Sequence, residues 1–319
     1  MSHDGPIDSF DPPLDQPPPS PGRNRKRVMG AGVAALLVVG LAVALWPSND
    51  VVAPPATSAP TSSTTSTSTS VAVLPGGTVE IATAKPEVTE LQVLAGAPPG
   101  WDDMEPAQVT STGPEPPASQ PSLPAREPLP SAEEPIAGRF VTATGWSFTN
   151  PGPYEPGQPF TMLVRERRGE WAEVLLPVRP NGTTGWVSTA DVDLSTTAHR
   201  IEINLAERML RAYDDTELIV ETPVVIGSAF TPTPTGTFFV TDIVPQTSAS
   251  FGPVALATDG YSEVMDDFDT GAPVVALHGT NIPELVGQAR SNGCIRVPNE
   301  LIQQLADTVP AGTPVYVFP

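Results

Sequence analysis

The chain has 319 residues, of which 41 are proline and only 16% are charged, so a good part of its length is not packed core. Its net charge of −20 disfavours nucleic acid and other polyanions as ligands but is compatible with zwitterionic peptides. A single cysteine excludes an intramolecular disulfide, so the folded part must be stabilised by core burial.

The N-terminal region has the pattern of a membrane-anchored protein. Residues 1–27 form a Pro- and Asp-rich tail, predicted to be disordered, that ends in the basic run Arg23-Asn24-Arg25-Lys26-Arg27. Residues 28–46 are nineteen uncharged residues, and as a helix they would span about 28 Å, close to the thickness of a bilayer core. The basic residues predict a cytoplasmic N-terminus and place the remainder on the outer side of the cell membrane. A cleaved signal peptide is the alternative, because Ala42-Val43-Ala44 is a small-x-small triplet.

A stalk and a small β module follow. Residues 47–77 are rich in Ser, Thr and Pro and predict a flexible stalk. Residues 78–195 predict a small barrel of short strands, interrupted by a Pro- and Glu-rich segment at 104–135 that we expect to be disordered. One or two strands are predicted within 80–94, and further strands are predicted at 138–144, 160–166, 171–176 and 184–187. Trp171 and Trp186 fit either core packing or a ligand platform.

The last unit, 199–319, predicts a mainly β domain with short helices. Three strands between 201 and 227 form an antiparallel meander, and a rigid Thr-Pro turn at 231–236 leads into a strand at 237–244. Residues 246–273 show little periodicity and predict a lid or binding loop, with Tyr261 as a substrate contact, or else only a solvated loop. A helix at 299–307 and a strand at 314–318 end the chain.

The candidate chemistry lies between these elements. The apolar run 273–277 predicts a buried strand with His278 at its end, and a short helix is expected at 283–290, with Asn281 as a possible cap. Gly293 permits a tight turn that presents Cys294. Only the thiolate of a cysteine is a good nucleophile, and a neighbouring imidazole is its usual activator. A lone cysteine is more commonly a small buried hydrophobe, and that alternative stays open on composition. The pair gives too few ligands for zinc, so neither a metal nor another cofactor is predicted.

The spacing of these residues resembles a known signature. His278-Gly279-Thr280, followed sixteen positions after the histidine by the cysteine of Ser291-Asn292-Gly293-Cys294-Ile295-Arg296, resembles the active site of the bacterial L,D-transpeptidase catalytic domain. The resemblance covers about 200–318 and implies a β-sandwich or barrel with short helices. Thr233-Pro234-Thr235-Gly236 is similar to that family's Thr-Pro-x-Gly element, which borders the cleft. Asn292 departs from the family, where a second histidine is common. Residues 169–187 are similar to bacterial SH3-like modules found before this domain.

The resemblance implies a membrane-anchored enzyme of peptidoglycan cross-linking. The Cys294 thiolate would attack the carbonyl of the third residue of a stem tetrapeptide, expel the terminal D-Ala, and pass the acyl group to the side-chain amine of another stem. His278 would act as base and then as acid, and the backbone N–H groups of Gly293 and Cys294 would bind the oxyanion. Arg296 would hold a substrate carboxylate or, equally, form a structural ion pair. The remaining predicted substrate contacts are Ser291, Asn292, Gly279, Thr280 and Tyr261.

The acyl acceptor is not determined by sequence. Water would make the protein an L,D-carboxypeptidase, and a protein amine would make it an attachment enzyme. A non-catalytic wall-binding protein with an inert cysteine is the alternative from another class. The resemblance also implies that carbapenem β-lactams acylate the cysteine.

Overall fold

The computed structural model describes residues 77–107, 139–152, 157–268 and 271–319. The predicted tail and membrane helix lie outside these ranges, as do all but the last residue of the predicted stalk and most of the segment 104–135. Within the described ranges, no helix is both long and apolar enough to cross a membrane.

The N-terminal part folds into one eight-stranded antiparallel sheet. Its strands, in chain order, are β1 Val79–Ala84, β2 Glu90–Leu94, β3 Arg139–Val141, β4 Gly145–Thr149, β5 Thr161–Arg168, β6 Trp171–Leu175, β7 Thr184–Ser188 and β8 Val192–Thr197. Their order across the sheet is β3-β4-β2-β7-β6-β5-β1-β8. The predicted span 80–94 is two strands, because a turn closed by a hydrogen bond from Val88 N–H to Lys85 C=O separates them.

Two tryptophans of this sheet have packing roles. Trp186 meets Trp101 edge to face, with ring centroids 6.1 Å apart, and Arg168 lies 5.2 Å above the Trp101 ring. The chain then continues along β5, where Ala107 N–H donates to Arg167 C=O at 2.7 Å. Residues 104–107, at the approximate start of the segment predicted to be disordered, are ordered by this pairing.

The C-terminal part folds into a second eight-stranded sheet. Its strands are β9 His199–Asn204, β10 Met209–Asp214, β11 Glu217–Pro223, β13 Gly236–Pro245, β14 Val254–Tyr261, β15 Val274–His278, β17 Ile295–Arg296 and β18 Pro314–Phe318. The short strands β12 Ile226–Gly227 and β16 Ala289–Ser291 pair separately, and α1 spans Asn299–Thr308. The order β11-β10-β9-β18-β13-β14-β15-β17 contains two parallel pairs, β9 with β18 and β15 with β17. The predicted meander, final helix and final strand are confirmed.

Burial of alternate side chains explains these elements. Ile201 and Ile203 of β9 point into the core beside Val315 and Val317 of β18. One face of α1 adds Ile302 and Leu305 to the same core. The mainly β fold class is therefore confirmed for the described residues.

Two local predictions are wrong. Residues 283–290 contain only a 3₁₀ turn, Pro283–Leu285, because Gly287 adopts φ +84° and the chain then extends into β16 beside β12. Residues 246–273 are not mainly loop, since β14 runs through them. This strand lies inside the sheet with nearly every residue buried, so it shows no alternation of polar and apolar residues.

The two sheets belong to one compact unit and pack closely. Phe239 of β13 lies in the hydrophobic cluster of the N-terminal sheet. Gly312 approaches the same sheet so closely that a Cβ there would lie 2.8 Å from Ile81 and 2.9 Å from Thr161. This well-packed interface holds the N-terminal sheet against the C-terminal sheet, which carries His278 and Cys294.

Candidate active site

The register of β15 and β17 brings the predicted nucleophile and base together. In this parallel pair Leu277 lies opposite Ile295, and His278 lies opposite Arg296. Leu277 and Ile295 are 0% and 1% exposed and face the core. Because successive side chains of a strand alternate between faces, His278, Arg296 and the preceding Cys294 share the other face.

His278 is buried and has a defined tautomer. Its side chain is 4% exposed, and Nδ1 lies 2.7 Å from the carbonyl oxygen of Gly279. A carbonyl oxygen only accepts, so Nδ1 carries the proton and the lone pair of the neutral imidazole is on Nε2. The Phe251 ring packs against the imidazole at 4.8 Å between centroids. This tautomer suits a general base that acts through Nε2.

The backbone after His278 is held by a close approach of three segments. A Cβ on Gly279 would lie 2.3 Å from Asn299 Oδ1 and 2.7 Å from Gly252 Cα, so only glycine fits. Asn299 Oδ1 accepts from Thr280 N–H at 2.8 Å, and Thr280 Oγ1 accepts from Ile282 N–H at 3.0 Å. Gly279 and Thr280, predicted as substrate contacts, are buried and fix the end of β15.

Cys294 is half-buried, and its surroundings on balance raise the pKa of the thiol. Burial raises the pKa of the Cys294 thiol, while a hydrogen bond with the Ala276 backbone and the charge of Arg296 act in the opposite direction. Sγ also lies 3.9 Å from the carbonyl oxygen of Val274, a weak thiol hydrogen bond. A thiol with a raised pKa needs a base to remove its proton during attack.

The loop that carries Cys294 is closed by Ser291. Its buried hydroxyl donates to the Cys294 carbonyl at 2.6 Å and accepts from Gly293 N–H at 3.2 Å. Gly293 has φ +116°, a conformation that favours glycine. Ser291, predicted as a substrate contact, is therefore part of the turn, and the Gly293 N–H predicted for the oxyanion is engaged inside the loop. Asn292 is half-buried.

The Thr-Pro turn supports the same loop from outside. Thr231 Oγ1 donates to Ser291 C=O at 3.1 Å, and Thr233 Oγ1 donates to Gly293 C=O at 2.8 Å. Thr233 Oγ1 also accepts from Gly227 N–H at 2.9 Å. The predicted position of this turn beside the active loop agrees with these contacts. Sequence reasoning singled out its prolines and glycine but missed the bonding role of the two threonines.

Tyr261 has a different environment from the predicted one. It is buried between the two sheets, and its hydroxyl donates to the Pro177 carbonyl at 2.8 Å. The side chain of Asn181 bonds to both its backbone N–H and C=O. These contacts make Tyr261 an interface residue, which argues against the predicted substrate contact.

Comparison with known proteins agrees with this arrangement. Residues 198–317 match the YkuD family, the L,D-transpeptidase catalytic domain. YkuD of Bacillus licheniformis, which is named among the L,D-transpeptidases, is 29% identical over 174 residues, or 52% of this chain and 96% of that protein. YkuD of Bacillus subtilis is 29% identical over 128 residues, or 40% of this chain and 64% of that protein. Residues 198–317, which form the C-terminal unit from β9 onward, thus match the L,D-transpeptidase catalytic domain.

A solved structure is also similar. The NMR structure of the catalytic domain from the E. faecium L,D-transpeptidase acylated by ertapenem is 28% identical, and the match covers 38% of this chain and 96% of that chain with a TM-score of 0.29. The SH3-like nature of the N-terminal sheet stays a prediction.

Proposed function

We propose that this protein is a membrane-anchored L,D-transpeptidase that joins peptidoglycan stem peptides through a thioester on Cys294. The observation that carries the proposal is the register of β15 and β17, which sets the His278 imidazole and the single thiol on one face of the sheet. The family match at 198–317 supports the same reaction class. The proposal includes a membrane anchor at 28–46 and a catalytic domain on the outer side of the membrane, because the basic residues lie before the apolar segment.

The site residues suit a two-step acyl transfer. Nε2 of His278 takes the thiol proton as Sγ attacks the carbonyl carbon at the third stem residue. The bond to the terminal D-Ala nitrogen then breaks, and His278 returns its proton to the leaving amine, which leaves an acyl-thioester. An amine of a second stem attacks the thioester and gives up its proton to His278. The carbon–sulfur bond then breaks and His278 returns this proton to the sulfur, so that a new amide cross-link and the free thiol result.

Backbone and charge complete the proposed chemistry. The N–H of Cys294 is the proposed oxyanion donor, together with that of Gly293 once it releases the Ser291 hydroxyl. A donor of this kind contributes about 3 kcal/mol to the transition state. Arg296, buried on the same face, is the proposed partner of a substrate carboxylate, since its charge already favours the thiolate of Cys294. Asn292, half-buried and two positions before Cys294, is a proposed substrate contact.

Mass spectrometry of a stem tetrapeptide incubated with the full-length protein tests the proposal. A cross-linked dimer supports transpeptidation, a tripeptide identifies water as the acceptor, and unchanged tetrapeptide with a folded protein contradicts both. The Cys294→Ala variant is the control and must abolish any product. His278→Ala should slow the reaction by on the order of 10² to 10⁴ if the imidazole is the base.

A carbapenem gives a second, independent probe. We expect one covalent adduct per chain, because the protein contains a single thiol and carbapenems acylate such a thiol through their strained carbonyl. An adduct that persists in Cys294→Ala would exclude the assigned nucleophile. Absence of any adduct on the wild-type protein would favour the non-catalytic, wall-binding alternative.

A further inference from the structure

The N-terminal sheet holds the end of β14, the neighbour of the strand β15 that Cys294 contacts. The turn after β6 contains Asn181, whose Oδ1 accepts from Tyr261 N–H at 2.9 Å and whose Nδ2 donates to Tyr261 C=O at 2.8 Å. A side-chain amide that bonds to both backbone groups of one residue imitates a neighbouring strand. The end of β14 is therefore held by a residue from the other sheet.

Tyr261, the residue held by Asn181, is paired with a residue that contacts Cys294. Tyr261 pairs with Val274, the first residue of β15. The Val274 carbonyl in turn lies 3.9 Å from Cys294 Sγ. A continuous path thus runs from the Asn181 amide through two paired backbone residues to the sulfur. The path is three contacts long.

The β14 strand needs such a support at this point. Its register with β15 shifts between Ala257 and Tyr261, so the regular ladder is interrupted just before the pair with Val274. Tyr261 is further held by its hydroxyl on Pro177 C=O, and the Arg179 guanidinium lies 5.5 Å from its ring. Contacts from the turn 177–182 thus hold the end of β14 where its hydrogen bonding with β15 is irregular.

We propose that Asn181 is a positioning residue for Cys294, and that the N-terminal sheet is therefore a working part of the catalytic unit as well as a spacer. Asn181 does not touch the thiol; it sets the position of Val274, against which the sulfur rests. The effect of Asn181 on catalysis rests on the proposed function. The effect of Asn181 on the position of the single thiol does not.

The chain offers a matched control at the same interface. Gln158 Nε2 donates to Ile243 C=O at 2.6 Å, and its Oε1 accepts from Ile243 N–H at 3.3 Å. This is the same two-bond amide contact between the two sheets. Ile243 lies on β13, and its partner on β14 is Leu256, away from the pair of Tyr261 with Val274. Leu256 in turn pairs with Leu277, which lies opposite Ile295, so loss of the Gln158 contact removes equivalent bonds on a longer route to the Cys294 loop.

The test compares Asn181→Ala with Gln158→Ala in the full-length protein. We expect the limiting rate of carbapenem acylation to fall about tenfold in Asn181→Ala, with the half-saturating concentration unchanged, because the sulfur is displaced while the substrate site is kept. Gln158→Ala should stay within about twofold of wild type. Equal losses in both variants, or none in Asn181→Ala, would overturn the inference.

Two further measurements keep the test decisive. Asn181→Asp retains the acceptor for Tyr261 N–H and loses the donor to Tyr261 C=O. Its acylation rate should therefore lie between those of wild type and Asn181→Ala. Asn181→Asp takes the place of Asn181→Ala if the alanine variant does not fold. Alkylation of the single thiol by iodoacetamide needs no enzymatic activity. We expect its rate to change at least about threefold in Asn181→Ala and not in Gln158→Ala. If wild type gives no acyl adduct but alkylation follows this pattern, the positioning role stands and the proposed function fails.

Discussion

The support that Thr233 gives to the nucleophile loop can be measured. Its hydroxyl joins Gly227 N–H at 2.9 Å to Gly293 C=O at 2.8 Å, and all three residues are buried. Thr233→Val keeps the shape of the side chain but leaves a buried donor and a buried acceptor without partners. Each such group costs about 1 to 3 kcal/mol, so the free energy of unfolding should fall by about 2 to 6 kcal/mol. A domain of ordinary stability, about 5 to 15 kcal/mol, would lose a large share of that total.

Thr233→Ser is the matched control, since it keeps the hydroxyl and removes one methyl group, worth about 1 kcal/mol. Urea unfolding followed by fluorescence gives the stability of each variant. Carbapenem acylation of folded protein should also be slower in Thr233→Val, because the Gly293 carbonyl is no longer held. Equal unfolding free energies for the valine and serine variants would show that the two bonds do not support the loop.

Three further predictions concern buried groups around the site. Asp259 is 1% exposed, and burial raises the pKa of its carboxyl well above the usual range. The contribution of the protonated carboxyl to the free energy of unfolding is therefore complete below the usual aspartate pKa. It is lost at up to about 1.4 kcal/mol per pH unit as the pH rises toward the pKa in the folded state. Asp259→Asn should therefore be more stable than wild type at pH ~8, and urea unfolding should show a smaller difference in stability between the two proteins at pH ~5. Gly279→Ala should destabilise the fold and slow acylation, because its Cβ would lie 2.3 Å from Asn299 Oδ1; a wild-type melting curve would contradict this. Since burial raises the pKa of the Cys294 thiol, acylation should accelerate with pH along one ascending limb that belongs to the Cys–His pair. Asn292→His should shift that limb without changing the product, and an unshifted profile would exclude position 292 from proton transfer.

Strands and turns with a clear local signal could be predicted. The final strand Pro314–Phe318 has the predicted bounds, and α1 differs from its prediction by one residue. The first is a short apolar run after Gly312, and the second has an apolar face of helical spacing. β14 was missed for the opposite reason, because a strand buried on both faces has no alternation to detect. The predicted helix 283–290 failed because pairing with β12, distant in sequence, outweighed local propensity.

The site divides in the same way. The chemistry proposed for Cys294 and His278 is predicted from residue type and spacing, since few arrangements activate a lone thiol. The backbone contacts of Ser291 and Tyr261 were not predicted, because a polar side chain beside a motif looks the same in sequence whether it meets substrate or backbone. Ser291 closes its own loop and Tyr261 meets the N-terminal sheet. Burial and hydrogen-bond partners, which depend on distant chain segments, decided between those uses.

The sequence by itself determined the β character of the described residues, and it predicted the division of the chain and the chemistry of its one thiol. Those properties follow from composition, local periodicity and the chemistry of single side chains. Only the tertiary structure decided that His278 and Cys294 share a face of the sheet. It also decided that Asn181, from the N-terminal sheet, bonds to Tyr261 of β14. Strand register and sheet packing are set by contacts between residues far apart in the chain, and no local pattern specifies them.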